Sequence, residues 1–444
     1  MTPREPASPE EPFGYLMVHF VEDAQGYREK VHLSISRGDD PERWDRLNGG
    51  EPVLASHLST TGVRDPHLTF DPVTATYFII ATDLRVFGGD EAGWDAWTHG
   101  YSTRMNVWTS ADLISWSPLT QFDVALAPDG APAAGVPALD MMWAPETTWV
   151  PDLYAEGDGG FVVYFSAGID GGHHRIVWGT TRDFSQETWE YGGVLLDTGD
   201  FAIDCSMIQH AGRTYRVTKD NGATRRGIFM ERTQAARWWE ADAVWTPVQD
   251  NLGDEYARGH GVEGPTMFKV HGEDRWYLYV DVIPDGGYHP LVSTDLDAER
   301  PWALLESDRF DLPAATKHGG VIGLTRAQYD AVRAADAREA VSPTLGTVRV
   351  PVGATTEEVR AALPARAEAT LHGGGTASFP VEWTLAADEA ASPGRHAVAG
   401  VLRGTLGANL NDWVGEAASR AWDAPGRRPF SATAIHVAAT LEIA

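Results

Sequence analysis

Four short segments of this 444-residue chain each set a carboxylate beside a turn residue or ahead of an apolar run. They are RDPHLTF with Asp65, APETTWV with Glu146, IDCSMIQ with Asp204 and EGPTMFKV with Glu263. A fifth segment, KHGGVIGLT, carries His318 where the others carry an acid. Paired carboxylates perform general acid and base chemistry when their surroundings keep one protonated and the other ionised. Asp-Pro and Glu-Gly-Pro are also ordinary turn starters, so neither means much alone. Asp204, between Ile203 and Cys205, has no such bland explanation, because an acid opening an apolar strand needs a partner. The chemistry therefore depends on whether the fold brings the five positions together.

The elements that would do so repeat along the chain. Apolar, β-branched or aromatic runs follow the acids or stand in for them: YLMVHF from Tyr15, YFIIATDL from Tyr77, FVVYFSAG from Phe161, TYRVTKD from Thr214 and WYLYVDV from Trp276. Bounded by Gly, Asp and Pro, they read as strands. Behind each comes a polar segment ending in Trp, at Trp44, Trp116, Trp189, Trp238 or Trp239, and Trp302. These recurrent Trp residues are expected to pack between units, with an edge strand near each. The first unit has no inner segment before it, and KHGGVIGLT supplies one from the far end. Five units closed by pairing the two ends predict an all-β, five-bladed β-propeller over residues 12–330. The inner strands of a propeller start at a common mouth, so Asp65, Glu146, Asp204, Glu263 and His318 are expected as equivalent positions around it. Four acids and a His are costly in a structural core, and a proton-transfer or metal site accounts for them better.

Residues 1–11 are expected as a flexible start and 331–342 as a linker. Strands after that point, including ASFPVEWTL and RHAVAGVLRG, predict a small β-sandwich over residues 343–444. The long aromatic segment around DEAGWDAWTHGYST is suited to cap a pocket, with Trp94, Trp97 and Trp143 placed to stack on a sugar ring.

Inverting glycosidases hold an acid and a base about 6.5–9.5 Å apart, leaving room for water, whereas a retaining pair is about 5–5.5 Å apart. Carboxylates across a propeller mouth can meet the wider spacing. GVRDPHL, AIDCSM and GVEGPTMF, together with WAPE at Trp143–Glu146, resemble the motifs of glycoside hydrolase family 43 over about residues 12–325. The resemblance implies an inverting hydrolase with Asp65 as general base, Glu263 as general acid and Asp204 as the group that orients the acid and tunes its pKa. It implies a sugar contact for Glu146. It places His318 on the axis beneath the pocket, near a hydrated calcium or sodium ion, with no cofactor required for the chemistry. The sequence departs from the pattern at Asp204-Cys205-Ser206, where the family usually has Pro, and at Glu146, where Asp is usual. The tail resembles a bacterial Ig-like domain.

The expected activity is an exo-acting α-L-arabinofuranosidase releasing pentose from plant-derived oligosaccharides. A β-xylosidase, a galactosidase or fructan-type enzyme, and a non-catalytic sugar-binding propeller remain open. With 63 acidic against 35 basic residues and a net charge of -28, the surface repels phosphate backbones and nucleic acid is not an expected partner. No apolar run of about 18 residues suggests a membrane span. One cysteine, Cys205, leaves no intrachain disulfide; it is expected as a buried, inert thiol. The polar, Pro-rich opening does not read as a signal peptide. A cytoplasmic location is expected if Met1 is the native start, and secretion if a leader was removed.

Overall fold

The computed structural model describes residues 11–22, 28–88, 90–223, 226–257, 261–284, 286–386, 390, 392–411 and 433–444. The expected flexible start therefore lies outside the described residues, apart from Glu11. Among the described residues, the first unit contains five four-stranded antiparallel sheets, the blades of a propeller. Their innermost strands are Gly319–Thr325, Arg64–Asp71, Trp143–Ala155, Ala202–His210 and Val262–Lys269.

The middle strands are buried on both faces because each blade packs against two others, which explains their near-continuous apolar sequences. The two-residue period of a strand divides the side chains between those faces. In Asp158–Gly168, Phe161, Val163 and Phe165 join Phe78, Ile80, Met105 and Val107 of the preceding blade. The alternate residues, Val162 and Tyr164, join Cys205, Met207 and Trp238 of the following blade. The same logic packs Tyr215, Val217 and Met230 against Leu278, Val280 and Trp302.

The ring closes where Gly319–Thr325 pairs antiparallel with Pro12–His19, Met17 opposite Val321 and Val18 opposite Gly320. Gly319 is required there, because a Cβ would come within 2.0 Å of the Val18 carbonyl oxygen. Trp44 reinforces the same seam, packing with Tyr15 and Met17 against Phe268, Tyr277 and Tyr279, with its indole N–H donated to Pro41 O at 2.8 Å. Trp189 and Trp302 likewise pack between blades. Trp116 differs: it groups with the second unit, where its backbone N–H donates to Asn409 Oδ1 at 2.9 Å.

The second unit comprises residues 47–54, 112–116 and those from Ala327 onward. Residues 331–342, expected as a linker, instead fall in the helix Arg326–Ala335 and the strand Ala337–Ala340. Tyr329, Val332 and Ala335 form the buried face of that helix, and the strand pairs with Arg366–Leu371. The early segment joins this unit because the Asn48 backbone N–H donates to Asp336 Oδ1 at 2.7 Å, a long-range contact that no local pattern announces. Among the described residues, the six strands of the unit form one sheet. Within Thr376–Thr384, the first residues pair with Arg366–Leu371 and the last with Gly394–Leu402. The sheet curls over one core that includes Phe379, Trp383, Val398, Leu402 and Leu441. Among the described residues, no helix is long and apolar enough to cross a membrane.

Candidate active site

A left-handed residue breaks the ladder near the start of four inner strands. Asp65, Ala144, Asp204 and Gly264 have φ of 48°, 48°, 52° and 55°. The pairing register shifts at each, between Arg64 and His67, Trp143 and Glu146, Ile203 and Cys205, and Glu263 and Thr266. Such bulges bend a strand and re-aim its side chains. They also correct the expected equivalence of the acids. Asp65 and Asp204 occupy the bulge position itself, Glu263 precedes it by one residue, and Glu146 follows it by two. The four carboxyl groups thus lie at three different stations of a common motif.

The bulges are tied to the adjacent blade. Thr82 Oγ1 donates to Asp65 Oδ2 at 2.8 Å and accepts the Ala144 N–H at 2.8 Å. Ser166 Oγ accepts the Asp204 N–H at 3.0 Å, and Asp204 Oδ2 accepts the Gly264 N–H at 3.0 Å. His318 lies among these groups, its Nδ1 3.5 Å from Asp65 Oδ1 and 3.9 Å from Asp204 Oδ1. Gly264 permits the approach, since a Cβ there would stand 2.8 Å from His318 Cβ.

Asp65, Asp204, Glu263 and His318 all line one cavity of about 530 Å³. Phe20, Leu84, Phe87 and Ile203 give it apolar walls, and Trp94, Trp143 and His174 line its aromatic side. Trp94 is 53% exposed and meets Trp143 edge-on, with ring centroids 6.0 Å apart. Trp97 is not part of this lining. It is buried beside Leu84 and Val86, with its indole N–H donated to Asp90 Oδ1 at 3.1 Å, and supports Trp94 from behind. Glu146 is also absent from the lining and is 4% exposed. Burial pushes its carboxyl up to about 8 despite His318, Ser206 and Tyr164 beside it. Of the adjacent histidines, His174 reaches the cavity, whereas His173 Nε2 is 2.7 Å from Asp197. Cys205 is buried, and burial raises its thiol to about 12, so it is inert.

The electrostatics separate the carboxyl groups. Burial alone would raise Asp65, but His318, Arg64 and the Thr82 hydroxyl together hold it below the usual carboxylate range. Glu263 is pushed up to about 8, first by burial and then by the negative charges of Asp204 and Asp281; Lys317 and Arg64 oppose the shift. Asp204 is raised by burial and by Asp65, with His318 and the Gly264 N–H acting against that. At neutral pH the cavity therefore holds an ionised Asp65 and a protonated Glu263, the division that acid–base catalysis requires.

Glu22, Arg64, Asp281 and Lys317 line the same cavity, with Glu29 outside its lining, as a charged network that the motifs do not mark. Arg64 pairs with Glu29 at 2.7 Å and Glu22 at 2.6 Å. Glu29 also receives the backbone N–H groups of Val86 and Phe87, at 3.0 and 3.1 Å. Lys317 Nζ is 3.4 Å from Asp281 and 3.7 Å from Glu22. Asp281 stands opposite Glu263 in the strand pairing. Its signal was in the sequence: a lone acid in the apolar strand WYLYVDV poses the question already asked of Asp204.

His318 is 6% exposed and points its Nδ1 toward Asp65 and Asp204. Among the described residues, no group of three or more His, Cys, Asp or Glu side chains is disposed to hold an ion. Burial would lower His318, but Asp65, Asp204 and Glu146 raise it to about 9. The ring is thus an imidazolium at neutral pH, paired with the Asp65 carboxylate.

A propeller whose mouth sets an ionised carboxylate and a protonated one on the same cavity defines a class, the acid–base hydrolases of glycosidic bonds. The chain belongs to the family described as "Probable glycosyl hydrolase domain", related to glycoside hydrolase family 43, and matches it over residues 11–330. A curated relative from Bifidobacterium longum subsp. longum, named alpha-L-arabinofuranosidase, is 27% identical over 340 residues, covering 69% of this chain and 29% of the relative. The chain thus spans less than a third of that relative's length. A thermostable family-43 glycoside hydrolase of solved structure shares 18% identity, with 55% of this chain and 72% of that one covered at a TM-score of 0.39. An exo-1,5-alpha-L-arabinanase from a bovine ruminal metagenomic library shares 21%, with 59% and 78% covered at a TM-score of 0.35.

Proposed function

We propose that this chain is an inverting, exo-acting α-L-arabinofuranosidase. The observation that carries the reading is the opposed charge state of Asp65 and Glu263 on one cavity. Asp65 takes a proton from a water on one face of the sugar while Glu263 gives its proton to the glycosidic oxygen. The bond from the anomeric carbon to that oxygen breaks as the bond to the water oxygen forms, with inverted configuration. Solvent then removes the proton from Asp65 and returns one to Glu263. Asp204 supports Glu263 by charge and through the hydrogen bond to Gly264, and His318 and Thr82 keep Asp65 ionised and oriented. Trp143 and His174 supply a ring-sized aromatic wall, and the name of the Bifidobacterium relative supports the choice of arabinofuranose.

The test is incubation with 4-nitrophenyl α-L-arabinofuranoside and the corresponding β-D-xyloside, followed by proton NMR of the first sugar released. Cleavage of the arabinofuranoside with initial release of the β-anomer is expected. Release of the α-anomer, or cleavage of the xyloside alone, would overturn the reading.

A further inference from the structure

The strand Pro12–His19 runs toward the propeller mouth, with His19 opposite Gly319 and the Lys317 N–H donated to Phe20 O at 3.0 Å. Beyond Phe20, Glu22 reaches the catalytic cavity beside Lys317. Arg64 Nη2 donates to Glu22 Oε1 at 2.6 Å, and Lys317 Nζ stands 3.7 Å from Glu22 Oε2. Both cations are anchored elsewhere as well. Arg64 pairs with Glu29, and its guanidinium carbon lies 4.6 Å from the centroid of the Phe20 ring. Lys317 Nζ donates to Pro284 O and faces Asp281. The Glu22 carboxyl group is therefore oriented before a ligand arrives, which lowers the cost of binding one.

Its partners are closed off from the cavity, and it is not. The side chains of Asp281, Lys317 and Arg64 are 2%, 5% and 10% exposed, against 24% for Glu22. Glu22 is also more open than Asp65, at 16%, and Asp204, at 12%. A carboxylate offers about four lone-pair positions, and among the described residues Arg64 alone directs a hydrogen bond at Glu22. The proposed chemistry engages Asp65 at the attacking water and Glu263 at the glycosidic oxygen, and leaves Glu22 without a task. A fixed, open acceptor pairs with a hydroxyl donor, and its charge opposes a sugar that carries a carboxylate of its own.

We infer that Glu22 is a specificity-determining residue, which accepts a hydrogen bond from one hydroxyl of the sugar in the catalytic cavity, away from the anomeric carbon, and so selects a neutral sugar bearing that hydroxyl. The inference rests on the glycosidase reading and adds a contact to it. Its test compares wild type with Glu22→Gln and Glu22→Ala, in which Arg64 keeps Glu29 as a partner and Lys317 keeps Asp281. The first measurement is kcat/KM on 4-nitrophenyl α-L-arabinofuranoside and on its 2-, 3- and 5-deoxy analogues. The preference of wild type for the parent over one analogue is expected to fall about tenfold in Glu22→Ala and less in Glu22→Gln, with the other preferences unchanged. A change in the surrounding charge alone would scale every substrate together, so preferences that match wild type throughout overturn the contact. The second measurement is NMR titration with L-arabinose, D-xylose and D-galactose, which needs no cleavage. Wild-type binding of at least one of them that becomes about tenfold weaker in Glu22→Ala supports the contact even if the aryl arabinofuranoside is not hydrolysed and the proposed activity fails. Equal affinity, or no binding of any of them by wild type, overturns it.

Discussion

Asp204 Oδ2 accepts the backbone N–H of Gly264 at 3.0 Å, so the carboxyl group that raises Glu263 electrostatically also holds the residue that follows it. One side chain therefore contributes to both the position and the protonation of the proposed acid, after burial. The pH profile should show this. Activity should persist from mildly acidic to neutral pH, falling at the acid end as Asp65 takes up its proton and at the alkaline end as Glu263 loses its own near 8. Asp204→Asn removes a like charge, so its alkaline limb should move to lower pH in a kcat/KM profile, by about one unit. An alkaline limb that does not move would remove Asp204 from this role.

Lys317 gives the opposite sign. Its ammonium lowers Glu263 and also lowers Asp281. In Lys317→Met the alkaline limb should move to higher pH. Denaturant unfolding should show a loss of about 3 kcal/mol, the low end for breaking a buried ion pair. Opposed shifts in the two variants would place both groups on Glu263.

Thr82→Val keeps the side-chain shape but removes a donor to Asp65 and the acceptor of the Ala144 N–H. A buried N–H left unpaired costs about 1–3 kcal/mol, which urea unfolding would register. Asp65 loses a group that holds it ionised, so the acid limb should rise toward neutral pH. kcat is expected to fall by about tenfold, in line with a lost hydrogen bond to the base.

Gly264→Ala should be among the least tolerated single-methyl changes in the protein. Its φ of 55° is strained for alanine, and the new methyl would meet His318 Cβ at 2.8 Å. Backbone strain of this kind costs about 1–3 kcal/mol. Because His318 must move, the activity loss should exceed the stability loss, as assays at a temperature well below unfolding would show.

The ring and its closure were legible because each blade is a local repeat, with an apolar strand and a Trp at regular intervals, and because Pro12–His19 lacked an inner strand that Gly319–Thr325 supplied. Asp65 and Asp204 were legible through the turn or apolar context around them. Glu146 was misplaced because its acid lies two residues past the bulge, and a one-dimensional alignment on acids does not show which residue adopts the left-handed conformation. Trp97 carries the composition of a sugar platform, yet its indole N–H turns to Asp90. Glu22, Glu29 and Lys317 acquire meaning only when blades far apart in sequence meet. The linker was misread because Asp336 captures the Asn48 N–H, a contact spanning most of the chain.

The measurement that tests the central claim most directly is kcat/KM of wild type and Glu263→Gln on a series of aryl α-L-arabinofuranosides with graded leaving-group pKa. If Glu263 is the proton donor, the variant should lose about 10³-fold or more on poor leaving groups and far less on 2,4-dinitrophenolate, which departs without protonation, so its dependence on leaving group should be much steeper than that of wild type. A loss of the same size on every member of the series would contradict the account and leave Glu263 without the role of acid.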